Sequence, residues 1–105
     1  MLIEEGADGR TIEMRVGQEL ELRLAENPTT GYRWRLESNG EPACALLDDS
    51  FDPPRGGYGR GGSHGWHFRA RQAGEGRIAL ASRRGHGDGG SASRTFAVAV
   101  RVADR

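Results

Sequence analysis

Short runs of strict apolar–polar alternation constrain this chain more than any other feature. Leu20, Leu22 and Leu24 alternate with Glu19, Glu21 and Arg23, and Tyr32, Trp34 and Leu36 alternate with Arg33 and Arg35. Trp66, Phe68 and Ala70 alternate with His67, Arg69 and Arg71, and Phe96, Val98, Val100 and Val102 repeat the pattern near the end. Successive strand residues point to opposite faces, so a two-residue period marks a strand with one buried side. These runs are too short for a helix, and no helix is expected. Ile12, Met14 and Val16, the apolar stretch 43–47, and Ile78 with Leu80 add shorter candidates. About seven short strands in 105 residues, broken by 17 glycines and four prolines, suit an all-β, immunoglobulin-like sandwich. Trp34 is expected as its central core residue.

A chain of this length is expected to form one domain, residues 1–105, with one modest core. Cys44 is the sole cysteine, so no intrachain disulfide can form and packing alone must hold the fold. A free thiol suits a reducing compartment. Residues 1–5 have neither the basic nor the apolar region of a signal peptide, which points to the cytoplasm unless a leader was removed. No apolar run is long enough to span a bilayer, so no membrane partner is expected. Net charge is zero but unevenly placed. Residues 1–54 carry 12 acidic and 5 basic groups, and residues 55–105 carry 3 and 10. The halves should attract, or give the folded surface a dipole.

The connectors differ in character. Asn27-Pro28-Thr29-Thr30-Gly31-Tyr32 lies between two alternating runs and has a stiff composition. Pro28 fixes its own φ and pushes Asn27 toward an extended form, Thr29 and Thr30 are restricted at χ1, and Gly31 can let the chain turn. By itself this is also a good ordinary turn. Residues 38–42 and 73–76 read as turns, and 48–54 as an acidic connector ending in Pro53-Pro54. Residues 55–65 are glycine-rich and read as flexible, not as strand interior. Residues 83–93 form a second glycine-rich loop.

The hexapeptide 27–32 resembles the signature loop of the chagasin family, small inhibitors of papain-like cysteine proteases, whose pattern is Asn-Pro-Thr-Thr-Gly-aromatic. The family's Gly-x-Gly-Gly loop appears as Gly59-Arg60-Gly61-Gly62. Its Arg-Pro-Trp loop falls on Arg84-Gly85-His86, where only Arg84 is kept. The resemblance implies an immunoglobulin-like fold with three loops, 25–32, 55–63 and 83–93, clustered at one end. It implies that Pro28, Thr29 and Thr30 enter a protease cleft, with Gly31 allowing close backbone approach. Asn27 would brace the loop, and Tyr32 would be buried support. The glycine loop would lie along the substrate groove through main-chain contacts. Gly85 and His86 in place of Pro and Trp remove stiffness and a flat apolar anchor, so weaker inhibition is expected than with the complete pattern. Such an inhibitor is a monomer that needs no catalytic group and no cofactor.

Other functions are weighed against this one. Arg55-Gly56-Gly57-Tyr58-Gly59-Arg60-Gly61-Gly62 mimics the Arg-Gly-Gly boxes of RNA binders, but net charge is zero and no nucleic-acid fold pattern accompanies it, so no nucleic-acid partner is expected. His64 and His67 would face opposite sides of a strand, which argues against a metal site. These histidines, with His86, read as exposed loop residues. Cys44 sits in an apolar run, where a buried structural cysteine is the usual case and a nucleophile is not. A sandwich that binds some other protein through the same loops stays open.

Overall fold

The computed structural model describes residues 1–27, 30–53, 62–84 and 94–104. Among the described residues eight strands form: β1 (Leu2–Ile3), β2 (Thr11–Arg15), β3 (Glu19–Glu26), β4 (Tyr32–Asn39), β5 (Cys44–Asp52), β6 (Gly62–Ala70), β7 (Gly74–Arg84) and β8 (Arg94–Ala103), with a 3-10 turn at Glu5–Ala7. They make two four-stranded sheets, ordered β1-β3-β6-β5 and β2-β8-β7-β4. The all-β sandwich read from the alternation is therefore what forms, with one strand more than expected. The addition is two-residue β1, in the stretch 1–10 that reads as a short strand or a frayed end; it lies parallel to β3 with Leu2 opposite Glu21.

The alternating positions do what their period dictates. Leu20, Leu22, Leu24, Trp66, Phe68, Ile78, Leu80, Phe96, Val98, Val100 and Val102 are buried between the sheets. Register keeps these faces together: Leu20 and Leu22 oppose Phe68 and Trp66, while Leu80 and Ile78 oppose Phe96 and Val98. A one-residue slip would turn each set outward, so the buried face itself fixes the pairing. Truncating one of these leucines to alanine costs about 2–5 kcal/mol.

Several expected boundaries move. The stretch 48–54 is not a connector throughout, because β5 continues to Asp52. A register shift between Leu46 and Asp48 lets its acidic second half stay paired with β6. Residues 62–65 are strand, not flexible linker: Gly62 opposes Glu26 on one side, and Ser63 opposes Asp52 on the other. Gly62 is where the backbones close up, since a Cβ there would collide with the Asp52 carbonyl oxygen. Glycine thus serves the strand here because no side chain fits. β7 is longer than its apolar pair implied, running from Gly74 into the turn 73–76 and on to Arg84. Val16 lies past the end of β2 and is exposed, so it does not share the inward face of Met14.

Strand direction alternates, so two ends arise. The short connections 16–18, 40–43 and 71–73 lie at one end. The strand ends that flank residues 27–31, 53–61 and 85–93 lie at the other, together with the turn after β1.

Candidate functional site

The end with the long connections is organised around the last two residues of β3. Alternation places Glu26 inward, after Leu20, Leu22 and Leu24, and it is only 4% exposed. A buried carboxylate is costly unless it is hydrogen-bonded. Here the Trp34 N–H donates to Glu26 Oε2 at 2.6 Å, and His64 Nδ1 lies 3.3 Å from Glu26 Oε1. Its neighbour Ala25 is bonded through both main-chain groups. The N–H donates to Glu5 Oε2 at 2.6 Å, and the carbonyl accepts from Trp34 Nε1 at 2.9 Å and from Arg94 at 3.1 Å. The Arg94 guanidinium carbon also lies 5.1 Å from the Trp34 ring centroid, a cation–π distance. One dipeptide therefore joins β3 to β4, β6, β8 and the N-terminal turn.

Trp34 is buried, but its position at this end, with its indole bonded to Ala25, corrects the expectation that it lies at the centre of the core. A pocket of about 220 Å³ opens beside it, between Glu26, Tyr32, Ser82 and Arg94.

The described part of the hexapeptide is a closed turn. The Asn27 carbonyl accepts from the Thr30 N–H at 3.2 Å and from Thr30 Oγ1 at 2.8 Å, and Thr30 Oγ1 accepts from the Tyr32 N–H at 3.3 Å. Gly31 adopts φ +80°, a left-handed conformation that glycine adopts without strain. Tyr32 is half-buried and pairs with Arg84 at the end of β7. Thr30 and Gly31 are exposed.

Of the thirteen residues expected to form the binding surface, the structure brings together Asn27, Thr30, Gly31, Tyr32 and Arg84 at one rim. Gly62 stands across from Glu26 at the root of the second connection. Pro28, Thr29, Gly59, Arg60, Gly61, Gly85 and His86 lie outside the described residues. The Arg-Gly-Gly run does too, except for Gly62.

The histidines depart from the expected picture. His64 is not an exposed loop residue. It lies in β6, its side chain 16% exposed, with Nε2 2.8 Å from Asp49 Oδ2. Its ring stacks on Trp66 at 4.0 Å between centroids with a 1° interplanar angle, and Phe51 meets it edge-on at 6.4 Å. His67 belongs to β6 as well, with Nε2 2.6 Å from Glu19 Oε1. The two residues fall on opposite faces by strand parity, as their spacing implied. Among the described residues no three His, Cys, Asp or Glu side chains are grouped as a metal would require. Cys44 is fully buried, and burial pushes its thiol pKa up, which opposes a nucleophilic role.

Glu26, His64 and Arg94 were missed as site residues. For two of them a signal existed. Glu26 continues the even-numbered inward positions of β3, and His64 shares parity with Trp66 and Phe68, so each places a polar group on a core face.

The chain is similar in sequence and fold to known proteins. Amoebiasin-1 of Entamoeba histolytica is 33% identical over 104 residues, covering 97% of this chain and 99% of the relative. Chagasin of Trypanosoma cruzi is 30% identical over 77 residues, covering 69% of this chain and 70% of the relative. The crystal structure of a cysteine protease inhibitor from Entamoeba histolytica shares the fold with a TM-score of 0.84 at 22% identity, over 97% of this chain and 94% of that one. A family model described as chagasin family peptidase inhibitor matches residues 13–100, and with these relatives it shows that the chain belongs to the chagasin family of peptidase inhibitors.

Proposed function

We propose that this protein is a reversible, tight-binding inhibitor of papain-like cysteine proteases. The segment 27–32 enters the active-site cleft, flanked by 55–63 and 83–93. The whole chain, 1–105, acts as one inhibitor domain and as a monomer. Members of the family are protease inhibitors, not enzymes.

The observation that carries this reading is the meeting of loop roots. Ala25 and Glu26, just before the hexapeptide, bond directly to Trp34 after it, to His64 near the second connection and to Arg94 after the third. An inhibitor that works by blockage must order its inserting segment during folding, because ordering on docking would subtract from affinity. Pro28, Thr29 and Thr30 form the wedge. Gly31 and Tyr32 turn the chain back into β4, and Asn27 closes the turn with its carbonyl. Gly59, Arg60 and Gly61 run along the substrate groove, with Gly62 pinned in β6 as their support. Arg84, Gly85 and His86 form the weaker third contact.

Titration of papain or a cathepsin against a fluorogenic substrate tests this. The expected result is stoichiometric loss of activity, with the inhibitor recovered uncut. A folded protein that neither binds nor inhibits at micromolar concentration would leave a sandwich serving some other partner.

A further inference from the structure

His64 has more carboxylate neighbours than a neutral ring can serve. Nδ1 faces Glu26 Oε1 at 3.3 Å, and Nε2 faces Asp49 Oδ2 at 2.8 Å. Ionised carboxylates only accept, and a neutral imidazole donates from one nitrogen only. Both contacts are hydrogen bonds only when the ring carries two protons. The ring is held for this role from every side. Trp66 stacks flat against it, Phe51 meets its edge, β3 supplies Glu26 and β5 supplies Asp49. From the facing sheet at this end, Arg94 is engaged with Ala25 and the Trp34 ring, and Arg84 lies opposite Tyr32.

We propose that Glu26 and His64 are positioning residues for inhibition. A proton on His64 ties the root of the 27–32 segment, through Glu26 and the Trp34 amide, to the strand that follows the 54–61 segment. Inhibition is therefore tighter when the ring carries its second proton than when it does not. This inference rests on the inhibitory reading above. Its chemistry is specific to the pair, because Glu26 already spends one oxygen on Trp34 and has the other free for the ring.

The test uses the full chain with Glu26→Gln, His64→Gln and, as a control, His67→Gln on the opposite face. Inhibition constants against one protease are compared at about pH 5.5 and about pH 8. Taking variant-to-wild-type ratios at each pH cancels the titration of the protease. Wild type should gain about tenfold at the acid pH relative to Glu26→Gln, the equivalent of one charge-assisted hydrogen bond. His64→Gln should behave like Glu26→Gln, and His67→Gln like wild type. In Glu26→Gln the amide can still accept from Trp34 and can donate to a neutral ring, so its trend should be flat or reversed. A ratio that does not change with pH overturns the proposal.

NMR separates this from failure of the inhibitory reading. The Trp34 amide resonance should follow the His64 ring titration in wild type, and should stop following it in Glu26→Gln. A Trp34 amide that ignores the ring in wild type overturns the tie whatever the protease assay shows. A tie present in a protein that never inhibits would refute the inhibitory reading, and with it the positioning role.

Discussion

The two ends of the sandwich are closed by different chemistry. At the end with short connections, most bonds join main chain to main chain, and side-chain bonds of Gln18, Ser38 and Asn39 add to them. The Gly17 N–H donates to the Ala70 carbonyl, the Ala70 N–H to Gln18, the Arg71 N–H to Ala43 and the Cys44 N–H to Gly40, at 2.9, 2.9, 2.8 and 3.0 Å. At the end with long connections, side chains reach between elements: Glu5, Glu26, Trp34, His64 and Arg94 carry the bonds. Tight turns bring backbone groups within reach of one another. A long excursion does not, so buried backbone groups at its roots need side-chain partners. The short-turn end thus depends on backbone geometry, with Gly17, Gly40 and Gly74 at positive φ, whereas the loop-bearing end depends on a few named side chains. Stability and inhibition should accordingly be separable by where a substitution falls.

The strongest way to break this contrast is Trp34→Ala. It removes a buried aromatic and the donor to the Ala25 carbonyl, and should cost about 3–5 kcal/mol of stability by denaturant unfolding. Inhibition by the remaining folded protein should also be weakened. If the folded fraction inhibits as well as wild type, the loop roots do not depend on this residue. Next in size is a gain: Gly85→Pro with His86→Trp should strengthen inhibition by about 2 kcal/mol, the scale of an aromatic interface anchor. An unchanged inhibition constant would count against placing the third contact at Arg84, Gly85 and His86.

The smallest effect belongs to the opposite end. Cys44→Ser buries a hydroxyl in an apolar site and should cost about 1–3 kcal/mol of stability while leaving the inhibition constant alone. The same thiol gives a pH signature. Burial raises its pKa above the ordinary 9.0, so the folded state keeps a proton that the unfolded chain loses first. Its contribution is complete below that value and declines as pH rises past it, by at most about 1.4 kcal/mol per pH unit until the buried thiol itself ionises. All 15 basic residues are arginine, so no lysine titration obscures the decline. Cys44→Ala should remove it.

The fold was legible because alternation is a local signal. Leu20, Leu22 and Leu24, or Val98, Val100 and Val102, announce a buried face without knowledge of the partner strand. Boundaries were less legible where pairing overrides composition. Gly62 reads as linker, yet the approach of Asp52 makes it strand. Asp48 and Asp49 read as solvated connector, yet they face His67 and His64 from β5. The candidate site was legible as a pattern at 27–32 but not as a mechanism of bracing. The bonds that brace it join residues far apart in the chain: Glu26 to His64, Ala25 to Arg94, Glu5 to Ala25. Only the parity of Glu26 and His64 hinted at them.

The direction of the outermost strands has a practical corollary. β1 runs parallel to β3 and β2 parallel to β8, so the Met1 amine lies 3.4 Å from the Glu19 carbonyl and Ala103 pairs with Arg15. Both points are at the short-turn pole. An affinity tag, a bead or a fused reporter attached at either one would hang away from the pole where Asn27, Thr30 and Tyr32 lie.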